Sequence, residues 1–256
     1  MATGTTLRRN HALRARIFAV VVGLVLAGCG PVAGEASRSA TPVLSTSPAP
    51  TPTPLVVSTL TPSSSMGPES LATLLERLVV APEHLDGYDR DLFPQWSDAD
   101  LDGCNTRYEV LLEQAVTPPT VSGSCDLTGG TWISPYDGVM LYDATGVQID
   151  HLVALAEAWY SGAFGWTTER RERFANDITV PWELNAVSPD VNEAKGADDP
   201  AEWLPPLPSA LCPYLESWIG TKVRWGLTID PDEKRALGTL VPRCLGSRLT
   251  VPVANP

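Results

Sequence analysis

Residues 147–159 read VQIDHLVALAEAW, and further along the chain residues 183–196 read ELNAVSPDVNEAKG. Val147 and Ile149 are strand-prone, so the first stretch opens as a short strand that runs straight into Asp150 and His151. ELNAV reads as a second short strand. In SPDVNEAKG, Ser188 stands where a helix cap belongs and Pro189 at the first helical position, which predicts a short helix carrying Asn192 and Lys195. A strand, a strand and a helix fold into a compact unit in which the end of the first strand faces the helix. Asp150, His151 and Asn192 then converge on one point. The chain has three histidines. Of these, His151 alone sits beside a carboxylate at a strand end.

The flanking sequence is helix-rich. SLATLLERLVV has helical spacing behind Ser70, and helices are expected in RYEVLLEQAV, ALAEAWYSGA and TTERRERFAND. PYLESWIGTKVRWGL places Leu215, Trp218, Ile219 and Val223 on one helical face, and DPDEKRALGTL opens with an Asp cap, a Pro and a capping-box Glu233. GGTWISPYDGVMLYDATGVQID gives short strands broken by turns. The class is α+β: a helix-rich domain around a small β element in the middle, its core at about 145–200.

The first 28 residues read as an export signal. Arg8, Arg9, Arg14 and Arg16 precede the apolar run IFAVVVGLVLAG, which is too short to span a bilayer. The small residues before Cys29 resemble the lipobox of bacterial lipoproteins, implying cleavage there and a lipid on the Cys29 sulfur. Residues 29–68 are dense in Pro, Ser and Thr, cannot bury a core and read as a tether, so the folded domain is expected over 69–256. Losing the four leader arginines takes the formal charge from −12 to −16. Such acidity disfavours non-specific nucleic-acid binding, which relies on Lys and Arg. Four cysteines remain in an exported chain, an even number that favours two disulfides; the neighbour pairing is Cys104–Cys125 and Cys212–Cys244.

Asp150, His151 and Asn192 suit phosphodiester hydrolysis. Histidine is the side chain best matched to deprotonating water near neutral pH, and a hard divalent cation held by oxygen ligands neutralises charge on the phosphate. At these residues the sequence resembles a known family. IDHLVALAEAW, FANDI, LNAVSPDVNEAKGADDPAEWLPP and the closing W…K…W.L…EK.AL look like the secreted branch of the HNH endonucleases. These belong to the ββα-metal (His-Me finger) superfamily and are related to the C-terminal domain of GmrSD restriction enzymes. The resemblance runs from about Tyr88 to Cys244. It implies His151 as general base, Asp150 and Asn192 as ligands of one Mg²⁺ or Mn²⁺, and Lys195 as a phosphate contact. The family's middle Asn falls on Glu183 by counting; Asn185, two residues on, is taken as the residue that orients the base.

Arg170 and Arg171, with Arg173, form the densest basic cluster, which either grips a nucleic-acid backbone or makes a solvated face. Glu157 either supports the site or is a solvated helix position. The tryptophans read as core.

DADLDGCNTRYE (98–109) matches the EF-hand loop pattern. Asp98, Asp100 and Asp102 take positions one, three and five; Gly103 turns the chain; the Cys104 carbonyl, Thr106 and Glu109 follow. A structural Ca²⁺ is the expected ligand; the plain alternative is an acidic loop capping the next helix, with Arg107 as its ion partner.

The expectation is thus a monomeric, exported nuclease, touching the membrane only through its lipid anchor and cutting DNA or RNA. The rivals are a non-catalytic, calcium-stabilised envelope-binding lipoprotein and a hydrolase of some other phosphodiester.

Overall fold

The computed structural model describes residues 67–254. The signal segment, Cys29 and the tether up to residue 66 lie outside the described residues. Among the described residues no helix is long and apolar enough to cross a membrane.

The described region begins with β1 (Glu69–Ser70) and α1 (Leu71–Arg77). The Ser70 hydroxyl accepts from the Thr73 amide, and Leu71, Leu74 and Leu75 turn inward at helical spacing. An irregular stretch leads to α2 (Thr106–Glu113), capped by the Asn105 side chain. Two small antiparallel pairs follow: β2 (Thr120–Ser122) with β3 (Asp126–Thr128), and β4 (Trp132–Ile133) with β5 (Met140–Leu141). Next come β6 (Gln148–His151), α3 (Leu155–Tyr160), α4 (Thr168–Ala175), β7 (Leu184–Val187) and α5 (Pro189–Lys195). The chain closes with α6 (Leu211–Trp225), α7 (Pro231–Leu240) and β8 (Arg248–Leu249), and β8 pairs with β1 so that the two ends of the region meet.

Two cores form. The larger gathers α1, α3, α6 and α7 around Leu74, Leu215, Trp218, Ile219 and Leu237. Gly226 ends α6 at φ 67°, the left-handed conformation that glycine adopts without a Cβ clash. The smaller sets Val110 and Leu111 of α2 and Trp132 of β4 against Ile149, Leu184 and Ala186. The Trp132 indole donates to the Leu111 carbonyl at 2.7 Å, so this buried N–H is satisfied.

The disulfides join Cys104 to Cys125 and Cys212 to Cys244, the neighbour pairing favoured by the sequence. The first ties the start of α2 to the β2–β3 hairpin; the second ties α6 to the segment after α7. The domain is therefore α+β, with its strands in four two-stranded pairs among the described residues.

Candidate active site

β6 and β7 pair antiparallel with Asp150 opposite Asn185 and His151 opposite Leu184. Side chains alternate along a strand, so Ile149 and His151 share the face packed on the smaller core, and Gln148 and Asp150 share the other. α5 follows β7 at once and is bound to β6. The Asn192 amide donates to Gln148 Oε1 at 2.6 Å, and Lys195 Nζ donates to Asp150 Oδ1 at 2.8 Å and to the His151 carbonyl at 3.1 Å.

His151 is buried, and its Nε2 lies 2.9 Å from the carbonyl of Ala175, the last residue of α4. A carbonyl only accepts, so Nε2 carries the hydrogen and Nδ1 keeps its lone pair. That carbonyl is one of the helix-end acceptors left without an intrahelical donor, so the bond satisfies both partners. Burial pushes the imidazole pKa down to about 4; the Ala175 bond opposes this, and the charges of Arg90 and Lys195 reinforce it. The ring is thus neutral at pH 7.

Asp150 is buried too. Its Oδ2 accepts from the Tyr136 hydroxyl at 2.7 Å while Oδ1 takes Lys195. Burial and the Asp150 charge hold the Tyr136 phenol well above its ordinary pKa, so it stays a donor.

Asp150, His151 and Asn192 line one cavity of about 300 Å³, together with Tyr88 and Arg90. Asn192 uses its amide nitrogen on Gln148, and its carbonyl oxygen has no hydrogen-bond partner among the described residues. The carboxylate oxygens of Asp150 each keep an acceptor position beyond the single bond they make. This donor set fits a hard, oxygen-seeking divalent ion.

Other residues read from the sequence as part of the site take different roles in the structure. Lys195 has no exposed surface and serves as the counter-charge of Asp150, so it cannot reach a substrate phosphate. Asn185 does not touch His151: its amide donates to the Trp182 carbonyl at 3.2 Å, and the ring is oriented by Ala175. Glu183 turns its side chain toward Arg224, 3.6 Å away, and contributes its main-chain carbonyl, which accepts from the Leu152 amide. Burial and the nearby Asp177 charge push the Glu183 carboxyl up to about 8.

Arg170 donates to the Trp225 carbonyl and lies over the Trp166 ring; Arg171 is buried and donates to the Leu92 and Trp166 carbonyls. Neither lines the cavity. Glu157 is not solvated but buried, paired with Lys222 at 2.6 Å. In the 98–109 loop, Asp98, Asp100 and Asp102 bring carboxylate oxygens within 4.8 Å of one another, and their charges raise the pKa of Glu109, although burial is its first cause. Thr106 instead donates its hydroxyl to the Ser97 carbonyl, and Arg107 donates to the Ala144 and Val147 carbonyls rather than pairing within the loop. Arg90 and Tyr136 were missed from sequence. Arg90 joins the site across a long sequence gap and Tyr136 from 14 residues before Asp150, with no motif to announce either.

The fold is an α+β domain, and its relation to nucleases comes from a family match. Residues 119–240 match the family described as GmrSD restriction endonucleases, C-terminal domain. A relative from Arthroderma benhamiae, described as an uncharacterized secreted protein, is 45% identical over 208 residues, covering 80% of this chain and 96% of its own length. No solved structure matches the chain.

Proposed function

We propose that β6, β7 and α5 form a ββα-metal core of the HNH type and that the protein is an extracytoplasmic, metal-dependent endonuclease. The observation that carries this reading is the cavity shared by Asp150, His151 and Asn192, with a histidine held neutral and its Nδ1 unbonded among the described residues.

In this mechanism the nucleic-acid backbone enters the cavity and Arg90, the one cation among the lining residues, holds a non-bridging phosphate oxygen. The Arg90 guanidinium is already steered by a 2.7 Å hydrogen bond to Gln95. His151 Nδ1 takes a proton from water, whose oxygen attacks phosphorus; the bond to the 3′ oxygen breaks and a 5′-phosphate results. The Ala175 carbonyl keeps the imidazole ring aimed and stabilises the imidazolium as it forms. Asp150 and the Asn192 carbonyl oxygen would hold Mg²⁺ or Mn²⁺, which when bound supplies charge neutralisation at the phosphate and leaving oxygen. Cys29 lipidation would anchor the domain outside the cell membrane, and the Asp98–Glu109 loop would hold a structural Ca²⁺.

One observation favours a different reading. Asp150 already has Lys195 and Tyr136 as partners, so it can rest without a metal. That suits a calcium-stabilised binding lipoprotein with an idle site. Plasmid nicking by the purified protein, with Mg²⁺ or Mn²⁺ and with EDTA, separates the two. Metal-dependent nicking supports the nuclease; a folded protein that cuts neither DNA nor RNA with any divalent metal supports the binding lipoprotein.

A further inference from the structure

A separate cavity of about 500 Å³ is lined by Glu83, Asp199, Glu202, Asp230 and Asp232. At its inner side Asp199, Asp230 and Glu233 each bring a carboxylate oxygen within 4.8 Å of the others. Their local bonding leaves the group short of positive charge. Glu233 is 1% exposed; it accepts from the Trp218 indole at 2.6 Å and from Lys222 at 2.8 Å. Lys222 also serves Glu157. Asp230 uses one oxygen to cap α7, accepting from the Asp232 and Glu233 amides. Arg235, the remaining cation on the cavity, is paired with the exposed Asp232 at 2.7 Å.

Asp199 is the telling residue. It is 7% exposed and lines the cavity; Oδ1 accepts from the Ala201 amide, while Oδ2 meets neither donor nor cation among the described residues. Lys222 pairs with Glu157 and Glu233, and Asp199 and Asp230 have no ion-pair partner among the described residues. Buried carboxylates without counter-charge are relieved by protons or by a cation. The geometry suits a cation. Three oxygens within 4.8 Å of one another leave a central ion at most about 2.8 Å from each, a few tenths of an ångström from the 2.3–2.6 Å calcium–oxygen length. The cavity leaves room for waters to complete the shell.

We propose that Asp199, Asp230 and Glu233 form a binding site for a divalent cation of the calcium class, apart from Asp150 and from the Asp98–Glu109 loop. The ion joins the segment that follows α5 to the start of α7, and through Glu233 and Lys222 to α6. This proposal stands whether or not the protein cuts nucleic acid.

The test is thermal unfolding of the full chain in EDTA and at millimolar Ca²⁺, in an Asp100→Asn/Asp102→Asn background that disables the loop. Calcium raises Tm by several degrees in that background. Adding Asp230→Ser abolishes the rise, because serine keeps the helix cap but removes the ligand. Asp199→Asn does the same. A background protein whose Tm ignores calcium overturns the proposal, as does a rise that survives Asp230→Ser.

Discussion

At the scale of single residues, the proposed chemistry rests on His151, and the burial of its ring makes stability depend on pH. A folded-state pKa of about 4 lies below the ordinary 6.5, so the native state resists protonation. The stability this contributes is complete above pH 6.5 and is lost as pH falls toward 4, on the order of 3 kcal/mol. Urea midpoints measured from pH 7 to 4 in wild type and in His151→Gln test this: the wild type should lose more, and equal losses would refute it. Lys195 makes a contrasting prediction. Lys195→Ala strands Asp150 as a buried, unpaired charge, and denaturant unfolding should show a loss of about 3–5 kcal/mol. A phosphate-binding lysine would instead change KM and leave stability alone. Arg90 is expected to behave in that second way: Arg90→Ala should raise KM several-fold with an unchanged urea midpoint, and steady-state kinetics with a labelled oligonucleotide would show it.

At the scale of elements, the local signals were legible. Ser70, Ser188 and Asp230 each mark a helix start that the structure keeps, with the side chain accepting from the first-turn amides. The strand ending in Asp150-His151 and the one at Leu184–Val187 lie where the hydrophobic pattern put them. What could not be read was which way a charged side chain turns. Arg171 stands three and four residues before Phe174 and Ala175, so it belongs to the inward stripe of α4, and its guanidinium answers main-chain carbonyls there. A count of basic residues along the helix sees only a cluster. Lys195 shows the same limit, since the spacing that brings it near Asp150 does not say whether it faces substrate or core. Arg171→Ala should therefore destabilise by about 2–3 kcal/mol, leaving two carbonyls without donors. Thermal melts and nicking assays together check this: the Tm should drop while KM for nucleic acid holds.

At the scale of the whole molecule, the pairing of β1 with β8 and the Cys212–Cys244 bridge close the C-terminal region onto the larger core. Neither strand is long enough to leave a periodic pattern, so that closure was invisible in the sequence, whereas the bridge is the neighbour pairing, one of three that four cysteines allow. Reducing Cys212–Cys244 frees a loop of 32 residues' separation and should lower stability by about 2–4 kcal/mol. A Cys212→Ser/Cys244→Ser variant compared with wild type in guanidinium measures it. The formal charge of −12 also bears on activity. With little basic surface to hold a phosphate backbone, binding should be weak, and the cut should depend on the few groups lining the cavity at Asp150 and His151.

The measurement that tests the central assignment most directly is plasmid nicking by His151→Ala with and without added imidazole, beside the wild type in the same metal buffer. Loss of cutting in the variant, with partial recovery when imidazole occupies the vacated cavity, is the predicted result. A variant that cuts as well as the wild type would contradict the assignment of His151 as the base, and a wild type that cuts nothing would contradict the nuclease itself.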